Sequence, residues 1–90
     1  MDAFETLAVS MSVPFRIRAD PARVRAAFLT GQIDDAIWPH MQYALAEAPL
    51  EMLFAAMLDC APHEEAVTRH LLDMAHAVGA EERIGRWMRG

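Results

Sequence analysis

Cys60 and His63 stand three residues apart, a spacing that lets a thiolate and an imidazole converge on one metal ion across a helix entry. A structural zinc takes four such ligands, so His40 and one further group would have to come from elsewhere in the chain. His70 and His76 flank Asp73 at intervals of three. A helix turns about 100° per residue, which swings the two imidazoles roughly 120° away from bridging a common ion. Nucleophilic catalysis by Cys60 would need His63 as its base and Asp59 or Glu64 to orient that base. The competing reading is plainer, because a lone cysteine in an apolar helix is usually a small buried hydrophobe. Glu47 and Glu51 are i, i+4 neighbours that most simply make a solvated stripe. No glycine-rich phosphate loop, nucleophile elbow or dinucleotide fingerprint occurs. The expectation is a protein that is not an enzyme and uses neither metal nor cofactor.

The charges point the same way. The net charge is −5, yet the basic residues are clustered: Arg16, Arg18, Arg23 and Arg25 near the start, Arg83, Arg86 and Arg89 at the end. An acidic middle between them disfavours general coating of nucleic acid, while the two basic patches could still meet phosphates or an acidic partner. All eight basic residues are arginine and the chain has no asparagine, the bias of a GC-rich genome, so a bacterium or its phage is the expected source. A single cysteine excludes an intrachain disulfide, which makes a reducing cytoplasm the expected compartment. The longest apolar run, residues 52–58, is far too short for a membrane span, so no membrane is expected among the partners.

With 90 residues the chain forms one small domain, residues 1–90, and buries only about 60% of its unfolded surface. The elements that would position its side chains are mostly helical. From Val9 to Arg18 the pattern alternates, putting Val9, Met11, Val13, Phe15 and Ile17 on one face of an edge strand. Residues 3–11 also fit a helical stripe through Phe4, Leu7, Ala8 and Met11. Asp20-Pro21 signals a helix over 21–30 stopped by Gly31. A second helix begins near Asp34-Asp35 with Ile37, Met41, Leu45 and Ala48 inside, and Pro39 either kinks it or marks its start.

Pro49 opens a helix through Cys60 in which Leu50, Met52, Leu53, Phe54, Met57 and Leu58 surround the axis, as in a central or interface helix. Pro62, Glu64 and Glu65 start the longest helix, with Val67, Leu71, Met74, Ala75 and Val78 buried and Gly79 ending it. A last helix runs from Ala80 to Met88, with Ile84, Trp87 and Met88 inward and its three arginines along one flank. The fold expected is a mainly α bundle of four or five short helices over 20–90, with an extended or mixed segment at 1–19.

Residues 13–18, Val-Pro-Phe-Arg-Ile-Arg, followed by Asp20-Pro21 and a short helix, resemble the start of ribbon-helix-helix regulators. The resemblance covers residues 11–47 and implies a dimer whose paired strands place Ser12, Arg16 and Arg18 in a DNA major groove. Pro14 and Pro39 depart from that pattern. Residues 79–87 are similar to the turn and recognition helix of phage-type helix-turn-helix repressors, with a glycine-to-isoleucine spacing one residue shorter. Neither similarity assigns the chain to a family.

An all-round apolar helix in so small a domain needs cover. The expected function is therefore protein–protein contact as an adaptor, inhibitor or regulatory subunit, with self-association into a homodimer or larger species. Met52, Leu53, Phe54, Met57, Trp38 and Trp87 are the expected interface; core packing is the favoured role of the seven methionines, with an adaptable binding surface as the alternative, and the tryptophans are anchors of a small core of which one could sit at a subunit contact. The alternative is a dimeric DNA-binding regulator using Arg16 and Arg18.

Overall fold

Aspartates open the helices of the first half of the chain. In the computed structural model, which describes residues 2–90, the Asp2, Asp20 and Asp34 carboxylates each accept a backbone N–H of the turn that follows, at 2.8, 2.9 and 2.8 Å. Helix α1 spans Ala3–Ser12 and α2 spans Pro21–Thr30. A 3₁₀ turn at Asp35–Ile37 leads into α3, Trp38–Glu47, followed by α4, Leu50–Leu58, α5, Glu64–Val78, and α6, Glu81–Arg89. Pro39 lies in the first turn of α3, so it marks the helix start and does not kink it. Gly31 and Gly79 end α2 and α5 in the left-handed region, at φ 78° and 80°.

Two expectations are corrected. The described residues form six helices, not four or five, and no strand. Residues 9–18 are the end of α1 and a tight turn. Burial decides the period: Phe4, Leu7, Ala8 and Met11 share the inner face of α1, whereas Val9, Val13 and Ile17, the supposed strand face, lie outside. Pro14 brings neither an amide hydrogen nor room for the preceding turn, so the helix cannot run on.

Helix α1 packs on α2, α3 and α4, and α5 packs on α2, α3, α4 and α6, so these two helices organise the interior. Phe4 meets Phe28 edge to face at 5.2 Å, tying α1 to α2. Met11, Met41, Leu45, Leu53, Leu71, Met74 and Ile84 complete the buried core. The Cα radius of gyration, 11.5 Å, is close to the roughly 12 Å of a folded chain this long. The accessible surface, 5368 Å², matches the value of about 5,300 Å² for a folded monomer of this mass. The chain therefore closes its own core, and association, where it occurs, uses surface left over from folding.

Candidate functional site

The sequence makes α4 apolar all round, and folding sorts its side chains. Leu53 and Ala56 are completely buried, Met52 and Met57 half-buried, and Phe54 and Leu58 nearly half exposed, at 46% and 49%. Leu53 is thus corrected from interface to core, because it points at α1 and α5 while Phe54, one residue on, points away. Phe54 meets Trp87 of α6 edge to face, with ring centroids 6.4 Å apart. Phe54, Met57, Trp87 and Met88, with Thr68 of α5, line an open hollow of about 250 Å³. The Thr68 hydroxyl touches the Met57 sulfur at 3.3 Å and donates to the Glu64 carbonyl at 2.8 Å, which spends its polarity locally and leaves the hollow apolar. Leu72, four residues after Thr68 and on the same side of α5, is 39% exposed. Trp38 is also partly exposed, on the first turn of α3, but does not line the hollow.

The arginine patches are broken up by the fold. Arg83, expected along one flank of the last helix with Arg86 and Arg89, turns inward and donates to the carbonyls of Leu45 at 2.8 Å and of Ala48, capping the C-terminus of α3. Arg86 pairs with Glu82 at 2.6 Å, and Arg89 stays exposed. Arg23 pairs with Asp34 at 2.6 Å and lies 3.9 Å from Asp20. Arg25 shares a groove with Asp2, Glu5, Asp20 and Asp59. Arg16 and Arg18 are exposed and belong to none of the ion pairs among the described residues.

Those two arginines sit on a turn held by a few hydrogen bonds and an aromatic contact. The Ser12 hydroxyl donates to the Ala8 carbonyl at 2.5 Å and accepts the Ala19 N–H at 2.9 Å, closing the turn like a clasp. His40, only 4% exposed, donates its Nε2 hydrogen to the Ile17 carbonyl at 2.7 Å. Phe15 packs on the His40 ring at 4.6 Å and edge-on to Tyr43 at 6.2 Å. Val13 and Ile17 are left pointing outward, at 77% and 75% exposure. An exposed turn of this kind was hidden in the sequence by its alternating pattern, although Pro14 was the signal that neither helix nor central strand could continue.

The thiol and imidazoles do not assemble. Among the described residues no three metal-ligating side chains share a site. Cys60 is fully buried, and burial pushes its thiol above the usual range, which disfavours the thiolate that either metal binding or nucleophilic attack requires. His63 is exposed. His70 is half-buried and donates from Nδ1 to the Phe28 carbonyl at 2.9 Å, so α5 caps the end of α2. His76 is exposed and bonded to Glu81 at 2.7 Å, and that hydrogen bond raises its pKa.

No family model matches the chain, and no significant match is found among curated proteins or solved structures. What fold and surface define is a mainly helical globule whose described residues expose apolar side chains on the turn at Val13 and Ile17, on α4 at Phe54 and Leu58, and singly at Val9, Trp38 and Leu72.

Proposed function

We propose that this is a non-catalytic protein that works by binding protein chains, as an adaptor, inhibitor or regulatory subunit, and that it self-associates. The observation that carries the reading is the Phe54–Trp87 pair, two aromatics in edge-to-face contact, one exposed and one half-buried, lining an apolar hollow. Aromatic side chains at the centre of a contact contribute most of its affinity, and methionine lets the same surface fit more than one shape. Sedimentation at micromolar concentration tests it: wild type should form a dimer or larger species, and Phe54→Asp should dissociate it while keeping its helical circular dichroism. A wild-type protein that stays monomeric, and whose binding to any protein partner is indifferent to Phe54→Asp, rules the reading out.

A second reading retains some support, because Arg16 and Arg18 are exposed and unpaired, as phosphate-binding arginines must be. The ribbon-helix-helix mechanism lacks its ribbon, since residues 13–18 form a turn. Binding to DNA that weakens steeply with salt and is abolished by Arg16→Ala with Arg18→Ala would favour the regulator. The buried unpaired thiol fits a reducing compartment such as the cytoplasm.

A further inference from the structure

A groove of about 450 Å³ lies between the end of α3, the start of α4 and the start of α6. That is the size of a small-molecule site, about 300–1,000 Å³. Ala46, Leu50 and Trp87 are its larger apolar walls, and Glu82, Arg83 and Arg86 are the charged residues of its lining. Arg86 and Glu82 pair at 2.6 Å and cancel. Arg83 is different, because no carboxylate lies within ion-pair distance of it among the described residues. The Leu45 and Ala48 carbonyls hold its two terminal nitrogens without neutralising them, and a guanidinium with five N–H groups has donors to spare. Glu47, Glu51 and Glu81 are neighbours of the lining residues in sequence, but none of them lines the groove, and Glu81 is bonded to His76. By contrast, the groove beside Phe4 sets Asp2, Glu5, Asp20 and Asp59 against Arg25 alone, and the Phe54 hollow has no charged residue in its lining. In a chain of net charge −5, a half-buried cation is thus fixed in an apolar groove with no counter-ion.

We infer that this groove binds a small organic carboxylate with an apolar tail, the carboxylate on the Arg83 guanidinium and the tail along Ala46, Leu50 and Trp87. A planar guanidinium matches a carboxylate in both shape and charge. Because two carbonyls already hold Arg83 in place, little side-chain freedom is lost on binding. With Arg86 occupied by Glu82, one uncompensated charge suits a monoanion and leaves a phosphate short of partners. The inference goes beyond the protein-binding reading and does not depend on it, since the groove and the Phe54 hollow share only Trp87.

Octanoate is the probe, with octanol as its uncharged counterpart, each titrated into the isotope-labelled chain. The indole N–H signal of Trp87 should move saturably with octanoate, while that of Trp38, outside the groove, stays in place. Octanol should bind about tenfold more weakly, the worth of a hydrogen bond to a charged group. Arg83→Gln, checked for intact circular dichroism, should remove that preference for octanoate. Two variants at exposed positions test the site without touching the core. Ala46→Phe fills the groove and should abolish the Trp87 shift, and Glu82→Gln frees Arg86 and should tighten octanoate binding but not octanol binding. Phe54→Asp should leave octanoate binding unchanged, so the outcome is separate from the fate of the protein-binding reading. Octanoate and octanol that bind alike, Trp87 and Trp38 signals that move together, or a Glu82→Gln protein that binds octanoate no better than wild type would each overturn the inference.

Discussion

The Phe54–Trp87 face and the Val13–Ile17 turn are both exposed and apolar, but they are held in place by different physics. The face is the outer side of helices whose inner sides are core: Leu53 is fully buried beside Phe54, and Ile84 is fully buried one turn from Trp87. The turn has no inner apolar side of that size. Phe15 tucks under it, and the rest of its hold is polar, through Ser12 and the buried His40. A surface backed by core cannot move without unpacking the bundle, whereas a surface clasped by a few hydrogen bonds can be loosened by itself.

The sharpest way to break this comparison is Leu53→Asp set against Phe54→Asp. An unpaired charge in the core costs several kcal/mol, about 3–5 by the measure of broken buried pairs, which is much of the stability of a domain this small. Leu53→Asp should lose its helical circular dichroism, and its exposed neighbour should keep it. If both variants unfold alike, the face is not a separable surface.

Next in size is Arg83→Ala, because it removes two charge-assisted hydrogen bonds from the carbonyl end of α3 and loosens α6, the wall that carries Trp87. A loss of about 2 kcal/mol is expected in chemical denaturation, within the range for hydrogen bonds to charged groups. Arg83→Lys should recover only part of it, since one ammonium cannot fork to two carbonyls as a guanidinium does.

For the turn, Ser12→Ala should cost about 1 kcal/mol, the net worth of a hydrogen bond. Its diagnostic effect is local: amide exchange at Ala19 should quicken while amides of α5 keep their protection. Uniform quickening along the chain would mean that the turn is part of the core after all. Cys60→Ala, also about 1 kcal/mol as a typical single substitution, should leave assembly unchanged, because the thiol faces neither surface.

The smallest effect expected is at His76, whose bond to Glu81 spans the junction of α5 and α6. The folded pKa lies above the unfolded one, so the contribution is fully present below the ordinary imidazole pKa and is lost as pH rises through the folded value. Both groups are exposed, so the effect should be visible in an NMR titration and not in the melting temperature. Glu81→Gln should bring the His76 pKa back toward its ordinary value. An unchanged titration would show that the bond is not formed in solution.

Helix starts and stops were legible because their chemistry is local. Asp20-Pro21 and Gly31 bracket α2, and Gly79 ends α5, through hydrogen bonds and dihedral preferences that span a few residues. The amphipathic stripe of α5, Val67 through Val78, is buried as its spacing requires. The alternating pattern of residues 9–18 and the helical stripe of residues 3–11 overlap at residues 9–11, so the sequence leaves strand and helix open there, and only the burial of Phe4 and Leu7 on the same side as Met11 separates them. The sites show the same divide. Apolar side chains surround α4, but their order along the chain does not tell which of Leu53 and Phe54 faces inward, nor that Arg83 turns onto α3.

Composition and local pattern by themselves determined that this chain is mainly helical, where most of its helices begin and end, and that it carries surplus apolar and arginine side chains. Which of these became surface was decided by tertiary packing. Leu53 and Cys60 went into the core, Phe54 and Trp87 met across two helices, and Ser12 and His40 clasped a turn that holds Val13 and Ile17 in the open. The physical reason is range. Caps and turns depend on neighbours within about four residues, whereas the exposure of a side chain depends on which helix lies across from it, and the partners here come from up to 42 positions away, as His70 does from Phe28.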